Sequence, residues 1–277
     1  MLHRVEHAGT WLLTWLGFRS RWVQTDAGRV HVLERGAEVD APALVLIHGI
    51  GASHVHWFFT VLRLFRHVPR IVIPDLPNHG WSERGSFPPS VVQSGFLASM
   101  REILDRPAWV VGNSLGGLAS IGLAVHAPER VRGLMLVSPG GAAETPEQFA
   151  VFMEQFRFTD REGARAFLER IYRRPPWYLS VLVGPILREF TRPGFRRFVD
   201  SAKPNTATHG AALSGLTVPV TLVWGTEDRL MPDHHRQWYL DHVPPQATVV
   251  EPAMGHCPHL DDSRPLANMI REFVRSA

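Results

Sequence analysis

Gly112-Asn113-Ser114-Leu115-Gly116-Gly117 constrains this chain more than any other stretch. An apolar run at 108–111 precedes it, and a small-residue, helix-like run at 118–127 follows. Strand, sharp turn and helix in that order is the local frame that lifts a nucleophilic serine above the end of a sheet strand. Flanking glycines allow a backbone bend that would strain other residues. The Ser114 hydroxyl is therefore expected above the sheet, placed to attack a carbonyl.

A serine hydroxyl is a poor nucleophile near neutral pH. It needs a base to take its proton, and the base needs an orienting acid. The serine, acid, histidine order is met here by Ser114, Asp228 and His256. Asp228 ends Gly225-Thr226-Glu227-Asp228, directly after the apolar run 218–224. Open α/β sheets place their sites at such strand ends. The plain alternative is a loop aspartate capping the helix that begins near Pro232, with Glu227 and Asp233 as rival acids. His256 lies in Met254-Gly255-His256-Cys257-Pro258-His259, between the last strand-like run and the C-terminal helix. Gly255 lets a tight loop turn the imidazole inward. The chain has 15 His, so position rather than residue type selects His256, with His259 as runner-up. The other histidines, including the His234-His235 pair, read as surface residues. No spacing of the His-Glu-x-x-His kind marks a metal site.

The tetrahedral intermediate needs an oxyanion hole. One donor is expected at the backbone N–H of Leu115 and the other in the loop after 43–47, which reads His48-Gly49-Ile50-Gly51. Ile50 N–H is the expected second donor and Gly51 the alternative. Gly49 and Gly51 let the backbone approach the substrate, while His48 is expected to bond within its loop. Losing one such donor typically costs about 3–4 kcal/mol of transition-state stabilisation.

Strand-like runs at 29–34, 43–47, 70–74, 109–112, 133–138, 218–224 and 247–251 surround these motifs. Helix-like segments at 91–104, 118–126, 232–242 and 264–275 separate most of the later ones. This alternation predicts an α/β fold with a mostly parallel twisted sheet flanked by helices. It stops at 140–216, where Phe149, Phe152 and Phe156 fall at helical spacing and Asp160 can cap a further helix. That stretch reads as a helical cap inserted into a core formed by 1–139 and 217–277. It holds eight of the 15 Phe, enough to line an apolar pocket, although most should simply pack cap onto core.

The net charge of +3 is too small to imply a nucleic-acid partner, and Lys203 is the only lysine beside scattered arginines. Cys257 is the single cysteine, so no intrachain disulfide forms and the chain leans to a cytoplasmic location. The apolar stretch 8–18 is followed by Arg19-Ser20-Arg21-Trp22 instead of a small-residue cleavage site. An amphipathic helix packed on the fold is expected there. The alternative is a helix resting on a membrane surface with its Trp pair at the headgroups.

The sequence resembles the α/β-hydrolase superfamily over nearly its whole length. His48-Gly49-Ile50-Gly51 with Trp57 looks like the family's oxyanion-loop signature. Pro74-Asp75-Leu76-Pro77-Asn78-His79-Gly80-Trp81-Ser82 is similar to its Asp-Leu-Pro-Gly-His-Gly-x-Ser segment, with Asn78 where Gly is usual. Asn is the commonest non-Gly residue at positive φ, so the exchange is tolerable. The Ser114 turn, the Asp228 loop and the His256 loop follow in the family's order. The resemblance implies the α/β-hydrolase fold with a helical cap after Ser138. It also implies a serine hydrolase, esterase- or lipase-like, that needs no cofactor or metal. The expected substrate is a small ester with an apolar acyl or alcohol group. Relatives that hydrolyse carbon–carbon bonds of dienoic ring-cleavage products can share Gly-Asn-Ser-x-Gly-Gly. They typically carry Trp after the histidine, where this chain has Cys257, and an arginine in the pocket would favour them. A third reading is a ligand-binding protein on the same scaffold.

Overall fold

The computed structural model describes residues 2–204 and 210–275. In chain order the elements are α1 (Leu2–Trp15), β1 (Arg19–Thr25), β2 (Gly28–Arg35), β3 (Leu44–Ile47), α2 (Phe58–Leu64), β4 (Ile71–Pro74), α3 (Pro89–Ile103), β5 (Ala108–Asn113), α4 (Leu115–His126) and β6 (Val131–Val137). Five helices follow: α5 (Pro146–Glu154), α6 (Arg161–Ile171), α7 (Leu179–Thr191), α8 (Pro193–Ser201) and α9 (Gly210–Ser214). The chain closes with β7 (Val220–Val223), α10 (Asp233–His242), β8 (Thr248–Val250), α11 (Pro258–Asp261) and α12 (Ser263–Arg275).

The eight strands form one sheet in the order β1-β2-β4-β3-β5-β6-β7-β8. β2 pairs antiparallel with both β1 and β4, and every pairing from β4 to β8 is parallel. The chain runs from β3 to β4 on one side, then crosses to β5 on the other. This reversal opens a crevice at the C-terminal ends of β3 and β5, where ligands bind in open α/β sheets. The loop after β3 and the Ser114 turn after β5 both lie there.

Strand residues alternate between two apolar layers. Val45 and Ile47 of β3 face one core with Phe96 and Met100 of α3 and Ile121 and Leu123 of α4. Leu44 and Leu46 face the other with Val61 and Leu64 of α2 and Leu266, Ile270 and Phe273 of α12. Both faces are covered, so β3 is buried throughout, and each such side chain contributes about 1.5–3 kcal/mol.

The strand read at 29–34 by alternation is buried at every position from Val30 to Glu34. Its polar members are satisfied internally. His31 bonds Asp75, and Glu34 receives two hydrogen bonds from Arg70. β1 went unpredicted. Its residues 19–22 are all exposed, so it shows no apolar signature and is held by pairing with β2. α1 packs through Leu13, which is fully buried, and leaves Trp11, Leu12 and Trp15 exposed. Among the described residues no helix is long and apolar enough to cross a membrane.

Helices α5–α9 form the insert between β6 and β7. Asp160 caps α6 by accepting the Gly163 N–H at 2.8 Å. Phe156, Phe167, Phe190, Phe195 and Phe198 form the insert's own buried cluster.

Candidate active site

The β5–α4 junction has the geometry that its glycines permit. Ser114 adopts φ 55° and ψ −119°, a sparsely populated region for a side-chain-bearing residue. Such backbone costs on the order of 1–3 kcal/mol and persists where its surroundings enforce it. Here the Ser114 carbonyl accepts the N–H groups of Gly117 and Gly140, both at 2.9 Å, and Ser114 N–H donates to Val137 O at 3.1 Å. A Cβ on Gly116 would stand 2.4 Å from Ile47 O, and one on Gly112 would stand 2.3 Å from Gly116 O. Both positions therefore admit only glycine, and the turn sits tight against the end of β3.

Asp228 and His256 meet on neighbouring loops. His256 Nδ1 lies 2.8 Å from Asp228 Oδ2. The other carboxylate oxygen accepts the N–H groups of Leu230 at 2.8 Å and Met231 at 3.0 Å. Burial opposes the charge on Asp228, but His256 and these donors outweigh it and hold its pKa below the ordinary carboxylate value. The two loops are fastened by Thr226 N–H to Pro252 O and Glu227 N–H to Met254 O. Gly225 makes that approach possible, since its Cβ would fall 2.3 Å from Met254 O.

The reason for glycine at 255 differs from the turn expected. A Cβ there would lie 2.4 Å from the backbone nitrogen of Arg173, so Gly255 admits the insert's backbone. Cys257 N–H donates to Ile171 O at 3.1 Å beside it. The rival acids differ from Asp228 in surroundings. Glu227 pairs with Arg173 at 2.8 Å, and Asp233 is exposed. His259 stacks on Trp57 with ring centroids 4.5 Å apart, and burial holds its pKa well below the ordinary value. Burial also raises the Cys257 thiol, with the nearby Asp228 adding to the effect, so it stays protonated and inert.

His48 bonds within its loop, as expected. Its Nδ1 lies 2.8 Å from Gly49 O, and its Nε2 accepts the Leu76 N–H at 3.1 Å. Burial pushes its pKa down to about 4, which keeps the ring neutral. Gly49 lies against the Ser114 turn, where a Cβ would sit 3.2 Å from Ser114 Cβ. Gly51 has φ 69°, and a Cβ on it would meet the Phe190 ring at 2.4 Å. Leu115 is the first residue of α4, so its N–H has no helical carbonyl to bond.

Ser114 and Ile50 line two cavities. The smaller, about 40 Å³, is also lined by His256, Gly49 and Gly51. The larger, about 120 Å³, runs beneath the insert past Phe149, Phe152, Phe156 and Phe198 and reaches Glu144 and Lys203. Among the described residues no arginine lines either cavity.

Asn113 has a role that its sequence position only hinted at. Its Nδ2 donates to Val137 O at 3.0 Å and to His256 O at 2.9 Å. Asn78 has φ 69°, as its place in the glycine slot required, and its side chain reaches the insert. Arg192 Nη1 donates to Asn78 Oδ1 at 3.0 Å. The expected surface pair His234-His235 is corrected. His235 is fully buried, and both rings approach the buried Glu144. Glu144 is 90 residues away in sequence, so local pattern could not reveal this contact.

Among the described residues two clusters carry metal-ligating atoms at short range: His31, His54 and Asp75, and Glu144, His234 and His235. The first is bonded throughout. Both Nδ1 atoms reach Asp75 Oδ2, at 2.9 and 2.8 Å, and the two Nε2 atoms reach Ser20 Oγ and Thr10 Oγ1. It serves as a buried polar latch among β2, β4 and α1.

Known proteins share this architecture. A pimeloyl-(acyl-carrier protein) methyl ester esterase of Neisseria meningitidis is 29% identical over 255 residues, covering 87% of this chain and 97% of that protein. Carboxylesterase CesB of Bacillus subtilis superposes with a TM-score of 0.77 at 19% identity, covering 99% of this chain and 98% of that one. The 2-hydroxy-6-oxo-6-phenylhexa-2,4-dienoate hydrolase of a Rhodococcus species superposes with a TM-score of 0.78 at 22% identity, covering 93% and 99%. At these identities the two structures establish likeness of fold alone. The profile of the alpha/beta hydrolase family matches residues 44–269, most of the chain, and the protein belongs to that family.

Proposed function

We propose that the protein hydrolyses carboxylic esters through an acyl-enzyme on Ser114. The observation that carries this reading is the bond between His256 Nδ1 and Asp228 Oδ2, on a loop lining the same cavity as Ser114. With Nδ1–H donated to Asp228, the Nε2 lone pair is free to take the Ser114 proton. The hydroxyl oxygen attacks the ester carbonyl while the N–H groups of Ile50 and Leu115 receive the developing oxyanion. The tetrahedral intermediate collapses, and His256 returns the proton to the leaving alcohol. Water then attacks the acyl-enzyme by the same route and releases the acid.

The larger cavity argues for substrate class. Its phenylalanine walls suit an apolar acyl or alcohol group. The esterase relative from Neisseria meningitidis supports the ester reading as well.

A turnover screen tests it, with aryl esters of short and long acyl chains beside a dienoic ring-cleavage product. Ester hydrolysis with a rapid initial burst is expected, and it should vanish in Ser114→Ala. Faster turnover of the dienoic compound would replace the reading with carbon–carbon hydrolysis. No turnover of any compound would favour a ligand-binding role.

A further inference from the structure

The second histidine–carboxylate cluster is built differently from the first. Glu144 lies in the segment between β6 and α5, and His234 and His235 lie in the first turn of α10. His234 Nε2 is 2.9 Å from Glu144 Oε1, and His235 Nε2 is 2.7 Å from the same oxygen. The Glu144 and His235 side chains are almost wholly buried, at 3% and 1% exposure. Phe152 packs against His235, with ring centroids 4.8 Å apart.

The decisive feature is how His235 is left. Neither of its ring nitrogens has a hydrogen-bond partner, although Nε2 sits so close to a carboxylate oxygen. The contact is short but lacks hydrogen-bond alignment. An imidazole sealed in the interior in that state is unfavourable, and such groups call for an explanation. In the His31–Asp75–His54 latch, by contrast, all four ring nitrogens are bonded. A nitrogen and a carboxylate oxygen that crowd without bonding each other can both bond one cation between them.

We propose that Glu144, His234 and His235 bind one divalent cation of the zinc class, which fastens the start of the insert to α10. Two imidazoles and one carboxylate form a donor set suited to Zn²⁺, with water completing a tetrahedral shell. Ligands at zinc-bond lengths stand on the order of 3.3 Å apart, so the two short contacts need to open by only about half an ångström.

The consequence is mechanical. Glu144 lines the larger cavity together with Ser114, and α10 follows the loop that carries Asp228. A cation here would tie the root of the insert to the loop of the candidate acid. The site stands independently of the ester reading, since its binding is measured without substrate.

The test uses the full chain, stripped with a chelator and titrated with Zn²⁺ by calorimetry, with bound metal counted after dialysis. One Zn²⁺ per chain is expected, with Tm rising by about 5 °C at saturation. Co²⁺ should give the intense visible absorption of a tetrahedral centre. Glu144→Gln and His234→Gln should each weaken binding at least tenfold. The His234 side chain is 38% exposed, so its variant keeps the fold and the test stands even if Glu144→Gln unfolds. Absence of saturable binding, or binding unchanged in His234→Gln, would overturn the proposal.

Discussion

Asn113 Nδ2 donates to the backbone carbonyl of His256 at 2.9 Å, so the residue before Ser114 holds the loop of the candidate base. The second Nδ2 hydrogen goes to Val137 O at 3.0 Å. One amide thereby ties the end of β5 to β6 and to the His256 loop. The side chain spans loops that are 143 residues apart in sequence, and it is fully buried.

Asn113→Ala removes both donors and takes from the buried His256 carbonyl its side-chain donor, whereas Val137 O keeps the Ser114 N–H. Such a loss costs about 1–3 kcal/mol. We expect Tm to fall by several degrees and kcat for an ester to fall about 10- to 100-fold, with KM little changed. Thermal melting and steady-state kinetics check this. An unchanged kcat in a destabilised protein would limit Asn113 to packing.

Asp228→Asn keeps the shape of the acid but removes its charge and its hold on the His256 tautomer. A rate loss of about 10⁴-fold is expected, with the fold retained. Full activity in this variant would move the acid to Glu227 or Asp233.

Acid should destabilise the fold before the carboxylates titrate. Burial pushes His48, His56 and His79 each down to about 4 from the ordinary 6.5. The unfolded chain therefore takes up protons below pH 6.5 that the native state excludes. Their contribution is complete above pH 6.5 and is lost as pH falls toward 4. For three protons the slope reaches about 4 kcal/mol per pH unit near pH 5. Tm measured from pH 7.5 to 4 should drop steeply, and a flat profile would contradict the neutral burial of these rings.

Asn78→Gly restores the usual residue at a positive-φ position yet should destabilise. The substitution relieves the backbone but removes Oδ1, which accepts from Arg192 and from Gly85 N–H at 3.2 Å. A net loss of ~1 kcal/mol and a Tm lower by about 2–4 °C are expected. A higher Tm would show that backbone strain outweighs those contacts.

The sequence made the parallel half of the sheet readable because its strands are buried on both faces and its helices are amphipathic. Leu44–Ile47 is a run of aliphatics, and α12 places Leu266, Ile270 and Phe273 on one stripe. β1 was illegible because its exposed Arg19, Ser20 and Arg21 carry no apolar pattern and join the sheet through backbone pairing and polar contacts to His31 and Glu34. The Ser114 turn, the Asp228 loop and the His256 loop could be read because each pairs a strand end with glycine. The reasons for some of those glycines could not. Gly255 answers to the Arg173 backbone, and Gly51 to the Phe190 ring, and both partners are set by how the insert docks. Likewise, nothing local marks His235 as buried, because Glu144 and Phe152 reach it only in the folded chain.

Covalent labelling reads the central mechanism most directly. The protein is incubated with an aryl fluorophosphonate, which reacts with an activated serine, and the adduct is mapped by peptide mass spectrometry. A single adduct on Ser114, formed at least 10³-fold more slowly in His256→Ala, is expected. Labelling at another residue, or Ser114 labelling that is indifferent to His256, would contradict a serine nucleophile activated by that histidine.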